Sequence, residues 1–441
     1  MAAKIHQLGV VALLDAYRAG RVSVVAAVEH YLERIALFDP QLIAYTDVDE
    51  AGARAAARDS AARWDAGTAR PLEGVPIAVK ANIDVAGLPV HGGIGALEDR
   101  IAAADAEVIT RLRDAGAIIL GMLNMHEAAL GATTDNEFYG TTQNPHKTGY
   151  TPGGSSGGSG AAVAAGLCAA GLGTDTLGSI RIPAAYCGVT GLKPTNGLVS
   201  NEGLMPLVAA LDCIGPLARS VEDVAAMMEA MAELADAGPI TRIATLSSAD
   251  HVEQDSAVRA ALALSSDLLK GLGCTLTGHQ VSIDHQKVRL AGFFESARSA
   301  RAIFGPLAEA EPDGASERLR SYLELGARVD DVAATRGHKT MDDAANEVLA
   351  VLGMADAILM PTTPQAAFPH DQEPPVSQAD FSALANLAGV PALSIPAGWT
   401  SDGLPVGVQL VGRAGSERAL LVLGRKLEAA LNAWRPPIGF A

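Results

Sequence analysis

Residues 151–183, TPGGSSGGSGAAVAAGLCAAGLGTDTLGSIRIP, constrain this chain more than any other stretch. A glycine- and serine-rich turn at 153–160 feeds an apolar small-residue helix, and a second tight loop follows at 173–179. Glycine allows φ > 0 and close approach of the backbone to a ligand. Serines in such loops supply nucleophiles and proton carriers, and free backbone N–H groups stabilise anions. A flexible tether is excluded because the run enters an apolar helix directly. A phosphate loop is excluded because no lysine follows the glycines. Gly153-Gly154-Ser155-Ser156-Gly157 matches the G-x-S-x-G string of a nucleophile elbow, but residues 144–152 do not read as the strand that elbow requires.

A second stretch, Val75-Pro76-Ile77-Ala78-Val79-Lys80, has the pattern of a buried strand ending in a lysine. Taken with the two serine loops, it closely resembles the signature of the amidase signature family. The resemblance spans about residues 20–430 and is weakest at about 240–350. It implies a Ser–Ser–Lys triad, with Ser179 as nucleophile, Ser155 as the bridging serine (held by a cis peptide bond in the family) and Lys80 as base. Lys80 and Ser155 are 75 residues apart and Ser155 and Ser179 are 24 apart, separations that fit the family. The resemblance further implies that the backbone N–H groups of Thr176, Leu177, Gly178 and Ser179 are candidates for holding an oxyanion. It puts Ala129 at a lining position of the acyl pocket and calls for no metal or organic cofactor. A lysine acting as base must be neutral, so burial must lower its pKa from about 10.4 to near 7 without a carboxylate partner. Asp84 is therefore assigned a structural role. Leu177 departs from the family pattern Thr-Gly-Gly-Ser. Either its side chain narrows and greases the acyl pocket, or it points into the core.

Other chemistry-bearing residues are expected to be structural. His126 beside Glu127 lacks a second histidine at zinc-motif spacing and is read as structural or pocket-lining. Arg181 either reads a substrate carboxylate or is paired inside the protein with a partner such as Asp175. Cys187 lacks a histidine partner. Cys168, Cys187, Cys213 and Cys274 show no paired or metal-binding spacing and are expected to be free thiols.

Alternating strand and helix patterns predict an α/β fold: a single large domain with a central twisted mixed β-sheet, mostly parallel, covered by helices on both faces. Within residues 1–441 the parts are a helical clasp at about 1–70 and a catalytic core at about 71–235. A variable substrate-selectivity region follows at about 236–350, then closing strands and a helix at about 351–441. Ser23 is expected to cap a helix over 24–37 that Asp39-Pro40 ends. The apolar run 161–173 reads as a core helix, too short to span a bilayer. A formal charge of −17 with no basic run argues against nucleic-acid and anionic-membrane partners. No signal-peptide pattern is seen at the N-terminus, so the cytoplasm is the expected compartment.

The resemblance thus implies a hydrolase that cleaves a small-molecule amide or urea-type C–N bond and releases ammonia or an amine. One alternative is the glutaminase (A) subunit of a tRNA-dependent amidotransferase. Another, of a different class, is a non-catalytic binding or assembly protein. The alanine-rich outer helices are compatible with a homodimer.

Overall fold

The strand patterns close into one sheet in a computed structural model that describes residues 4–440. The strands are β1 Tyr45–Val48, β2 Pro76–Lys80, β3 Ile118–Leu123, β4 Asp135–Asn136, β5 Gly140–Thr141, β6 Ala170–Asp175, β7 Thr190–Lys193, β8 Cys213–Ala218, β9 Arg242–Leu246, β10 Thr275–His279, β11 Ala357–Pro361, β12 Ala392–Trp399 and β13 Pro405–Gly412. Eleven form the main sheet in the order β1-β3-β2-β6-β8-β7-β12-β13-β11-β9-β10, and β4-β5 is a separate ribbon. Among the described residues, thirteen α-helices accompany them in a single α/β domain. Helix Glu417–Leu431 packs on both Val221–Met231 and Ser256–Gly271, and helix Arg181–Cys187 packs against β7, β12 and β13.

The sheet is mixed, but not mostly parallel as the alternation suggested. Parallel pairing holds for β3–β2, β2–β6, β11–β9 and β9–β10. The other six pairings, through the middle and at β1, are antiparallel. Sequence periodicity reports burial and not strand direction, so the reversal at the centre left no trace in it.

The apolar run read as one helix is in fact a helix and a strand. Helix Gly157–Ala164 stops, and β6 begins at Ala170. β6 is hydrogen-bonded to β2 on one side and β8 on the other, a tertiary pairing that overrides the helix preference of the alanine-rich run it belongs to. The helix lies so close to the strand that a Cβ at Gly173 would come within 2.9 Å of Ser156 Oγ.

Pro40 does not end its helix. Ser23 Oγ accepts the Ala26 N–H as expected, but the helix runs through Val24–Leu42 and stops at Ile43, in the left-handed region at φ 56°. Asp39 receives the emerging chain, accepting the N–H of Ala44 at 2.8 Å. Strand β10 lies at the edge of the sheet, and most of 285–354 is helical, as helices His285–Ala310, Glu317–Ala327 and Asp331–Met354.

Candidate functional site

Two neighbouring parallel strands end together. β2 finishes at Lys80 and β6 at Thr174-Asp175, and the carboxyl ends of parallel strands are where open α/β sheets place ligands. Lys80 is fully buried. Its Nζ lies 2.7 Å from Ser155 Oγ and 2.7 Å from Thr174 Oγ1. The Gly154–Ser155 peptide is cis. The His126 N–H donates to the Ser155 carbonyl at 3.0 Å, and the Ser156 N–H donates to the Ser179 carbonyl at 3.3 Å. The two serine loops are thus tied backbone to backbone beside Lys80.

Burial lowers the Lys80 pKa to about 7, against the opposing pull of Asp212 and Asp175. Both hydrogen-bond partners of Lys80 are hydroxyls, which tolerate a neutral amine because each can donate as well as accept. Lys193 is equally buried and supplies the contrast. Its Nζ donates to the carbonyl of Pro194 at 2.6 Å and to Asn196 Oδ1 at 3.0 Å and lies 3.6 Å from Cys213 Sγ; burial lowers its pKa too, so what distinguishes Lys80 is the serine hydroxyl at its amine. Asp84 does not touch Lys80; it takes Arg100 at 2.9 Å.

The loop that carries Ser179 is held from inside. Asp175 accepts the N–H of Gly178 at 2.7 Å and that of Ile180 at 3.2 Å. Arg181 grips the same carboxylate with two nitrogens at 3.0 Å. Burial would raise the Asp175 pKa, and the guanidinium overrides it and holds the carboxyl below its usual range. Asn386 Oδ1 and Gln409 Oε1 take further Arg181 hydrogens, so this arginine is a structural partner and faces no substrate. Gly178 stands at φ 139°, and a Cβ there would sit 2.2 Å from Ser382 Oγ, so only glycine fits. Among the four candidate oxyanion donors, the Gly178 N–H is already committed to Asp175. Thr176 is buried, its Oγ1 donating to Asp212 at 2.6 Å, while Leu177 and Ser179 are half-buried.

The segment 126–130 is tied to the Ser155 loop through the His126 N–H. Ala129 is buried, in the left-handed region at φ 58°. His126 is pushed down to about 3 by burial and so stays neutral. The Glu127 carboxylate accepts the Ser316 N–H at 3.1 Å and also the Ser316 hydroxyl. The four cysteines are buried and free.

Sequence reasoning missed Thr174, Asn82 and Asp212. Asn82 Nδ2 donates to Thr174 Oγ1 at 3.2 Å, fixing the second partner of Lys80. Lys80 and Thr174 are 94 residues apart, and Thr174 became visible only once β6 was seen to be a strand that ends at the site. A groove of about 810 Å³ lies elsewhere, along β9, β10 and β11, and contains none of Lys80, Ser155 or Ser179. Among the described residues no group of acidic, histidine or cysteine side chains could hold a metal ion. Nor is any described helix long and apolar enough to cross a membrane.

The model of the family described as Amidase matches residues 26–421. The glutamyl-tRNA(Gln) amidotransferase A subunit of Roseiflexus sp. (strain RS-1) is 35% identical, over 95% of this chain and 96% of its own. Its namesake from Nitratidesulfovibrio vulgaris (strain DP4) is also 35% identical, over 99% of this chain and 98% of its own. Among solved structures, the peptide amidase of Stenotrophomonas maltophilia matches with a TM-score of 0.83 at 28% identity, over 98% of each chain. A structure reported as "An unexpected vestigial protein complex reveals the evolutionary origins of an s-triazine catabolic enzyme" matches with a TM-score of 0.89 at 31% identity, over 97% of this chain and all of that one.

Proposed function

The chain belongs to the amidase signature family, and on that premise we propose that it hydrolyses a small amide or urea-type C–N bond through an acyl-enzyme on Ser179. The observation that carries this proposal is Lys80, buried without a hydrogen-bonded carboxylate, lowered to about 7 and 2.7 Å from Ser155 Oγ. A neutral amine there accepts a proton from Ser155 as Ser155 takes one from Ser179. Ser179 Oγ then bonds to the carbonyl carbon, and backbone N–H groups of the loop 176–179 other than that of Gly178 hold the oxyanion. The relay returns the proton to the leaving nitrogen, the C–N bond breaks and ammonia or an amine departs. Water, deprotonated by the same relay, releases the acid from Ser179. Ala129 lines the acyl side in this proposal.

The test is ammonia release by the purified chain over glutamine, malonamide, aryl-acetamides and carboxylated ureas, with Ser179→Ala as blank. A second reading has a specific observation in its favour: 35% identity, over nearly the whole chain, to amidotransferase A subunits. If the chain is such a component, ammonia release from glutamine will depend on added partner subunits.

A further inference from the structure

Leu177 stands where the family signature carries glycine, and its side chain reaches helix His285–Ala310. A Cβ built on Gly292 would lie 3.1 and 3.2 Å from the two Leu177 methyl carbons, so Leu177 caps this glycine. A helix turns about 100° per residue. Phe293 is therefore rotated about 100° from the Leu177 contact and Ala297 about 140° in the same sense. Ala297 is where helix Glu317–Ala327 crosses, since a Cβ on Gly326 would meet the Ala297 carbonyl at 2.1 Å. Phe293 consequently lies in the angle between the nucleophile loop and the crossing helix. Its ring meets Tyr322 of that helix edge to face, 5.3 Å between centroids at 83°. Both rings are only half-buried. The far end of the crossing helix begins at Ser316, tied to Glu127 two residues from Ala129.

The arginines of these two helices already have partners. Arg289 is paired with Asp380, Arg298 with Asp331, Arg301 with Glu309 and Arg318 with Asp135. Arg320 donates to the carbonyls of Pro312 and Ala315. These are all the arginines of the two helices. Arg181 is enclosed by Asp175, Asn386 and Gln409. An amino-acid carboxylate entering here would have to break one of these pairs, whereas an apolar ring would meet two aromatic edges and a leucine.

We propose that Phe293, Tyr322 and Leu177 form the acyl-side wall of the site, and that the substrate is a neutral carboxamide with an apolar acyl group of aryl size. This inference rests on Ser179 being the nucleophile. It is tested by reaction of the full chain with two serine-directed reagents, phenylmethanesulfonyl fluoride and methanesulfonyl fluoride, followed by intact mass and located by peptide mass. Phe293→Ala and Tyr322→Ala should each lower the ratio of the two labelling rates, phenyl over methyl, by about tenfold. Tyr322→Phe should leave that ratio within about twofold, since the ring edge is kept. The methyl reagent serves as the internal control for folding in every variant. A second measurement needs no variant: phenylacetamide should protect Ser179 from methanesulfonyl fluoride at a concentration at least about tenfold below that of glutamine. An unchanged ratio in both alanine variants, or better protection by glutamine, overturns the wall. Labelling by either reagent at sites other than Ser179 overturns the nucleophile assignment beneath it.

Discussion

Lys80 and Lys193 are both sealed from solvent, and what separates them is the kind of oxygen each one touches. Burial lowers the pKa of both, but Lys80 meets two hydroxyls, one of them on the serine loop, whereas Lys193 meets a carbonyl, an amide oxygen and a thiol. A pH profile follows with a defined sign. Below about 7 Lys80 carries a third proton and has no lone pair to offer Ser155, so kcat/KM should fall about tenfold per pH unit on the acid side and level off above. A rate that declines as pH rises through 7 would exclude a lysine base. Lys80→Arg should be as inactive as Lys80→Ala, with a loss above about a hundredfold, because a guanidinium does not deprotonate in this range. That Lys80, Ser155 and the loop of Ser179 come together was legible because motif spacing marks them. Thr174 and Asn82 were not, since each is an ordinary residue whose importance comes from where a strand or turn ends.

At the scale of elements, the nucleophile loop is held by one buried ion pair and the overlying helix by one latch. Replacing Arg181 with leucine leaves the Asp175 carboxylate buried and uncompensated, at a cost of about 3–5 kcal/mol. Chemical denaturation should show that loss, and a change under about 1 kcal/mol would mean the pair is not what fixes the loop. Glu127→Ala removes the acceptor for the Ser316 N–H and hydroxyl, so amide exchange at the start of helix Glu317–Ala327 should quicken. Glu127→Gln keeps an acceptor for the N–H and should stay close to the parent. Equal exchange in all three proteins would show that the latch carries no load. Leu177→Gly should widen the range of amides accepted, read as kcat/KM across an acyl size series. A flat comparison would leave Leu177 with packing alone.

Elements were legible in proportion to how local their causes are. The Ser23 cap and the all-buried pattern of β2 lie in a few adjacent residues, and both are found as read. The split of the 161–173 run and the antiparallel centre of the sheet depend on β8, well downstream of β6 in the chain, and no window of sequence contains them. Pro40 misled for another reason. It sits in the last turn, before a left-handed residue that ends the helix independently.

For the whole molecule, Lys80, Ser155 and Thr174 are brought together from distant parts of one chain. The measurement that bears most directly on the central claim is ammonia release from the amide panel by the purified chain alone, run beside Ser179→Ala. The account predicts release from at least one neutral aryl-acetamide by the parent protein and a loss of more than about a hundredfold in the variant. Undiminished release by Ser179→Ala would contradict it.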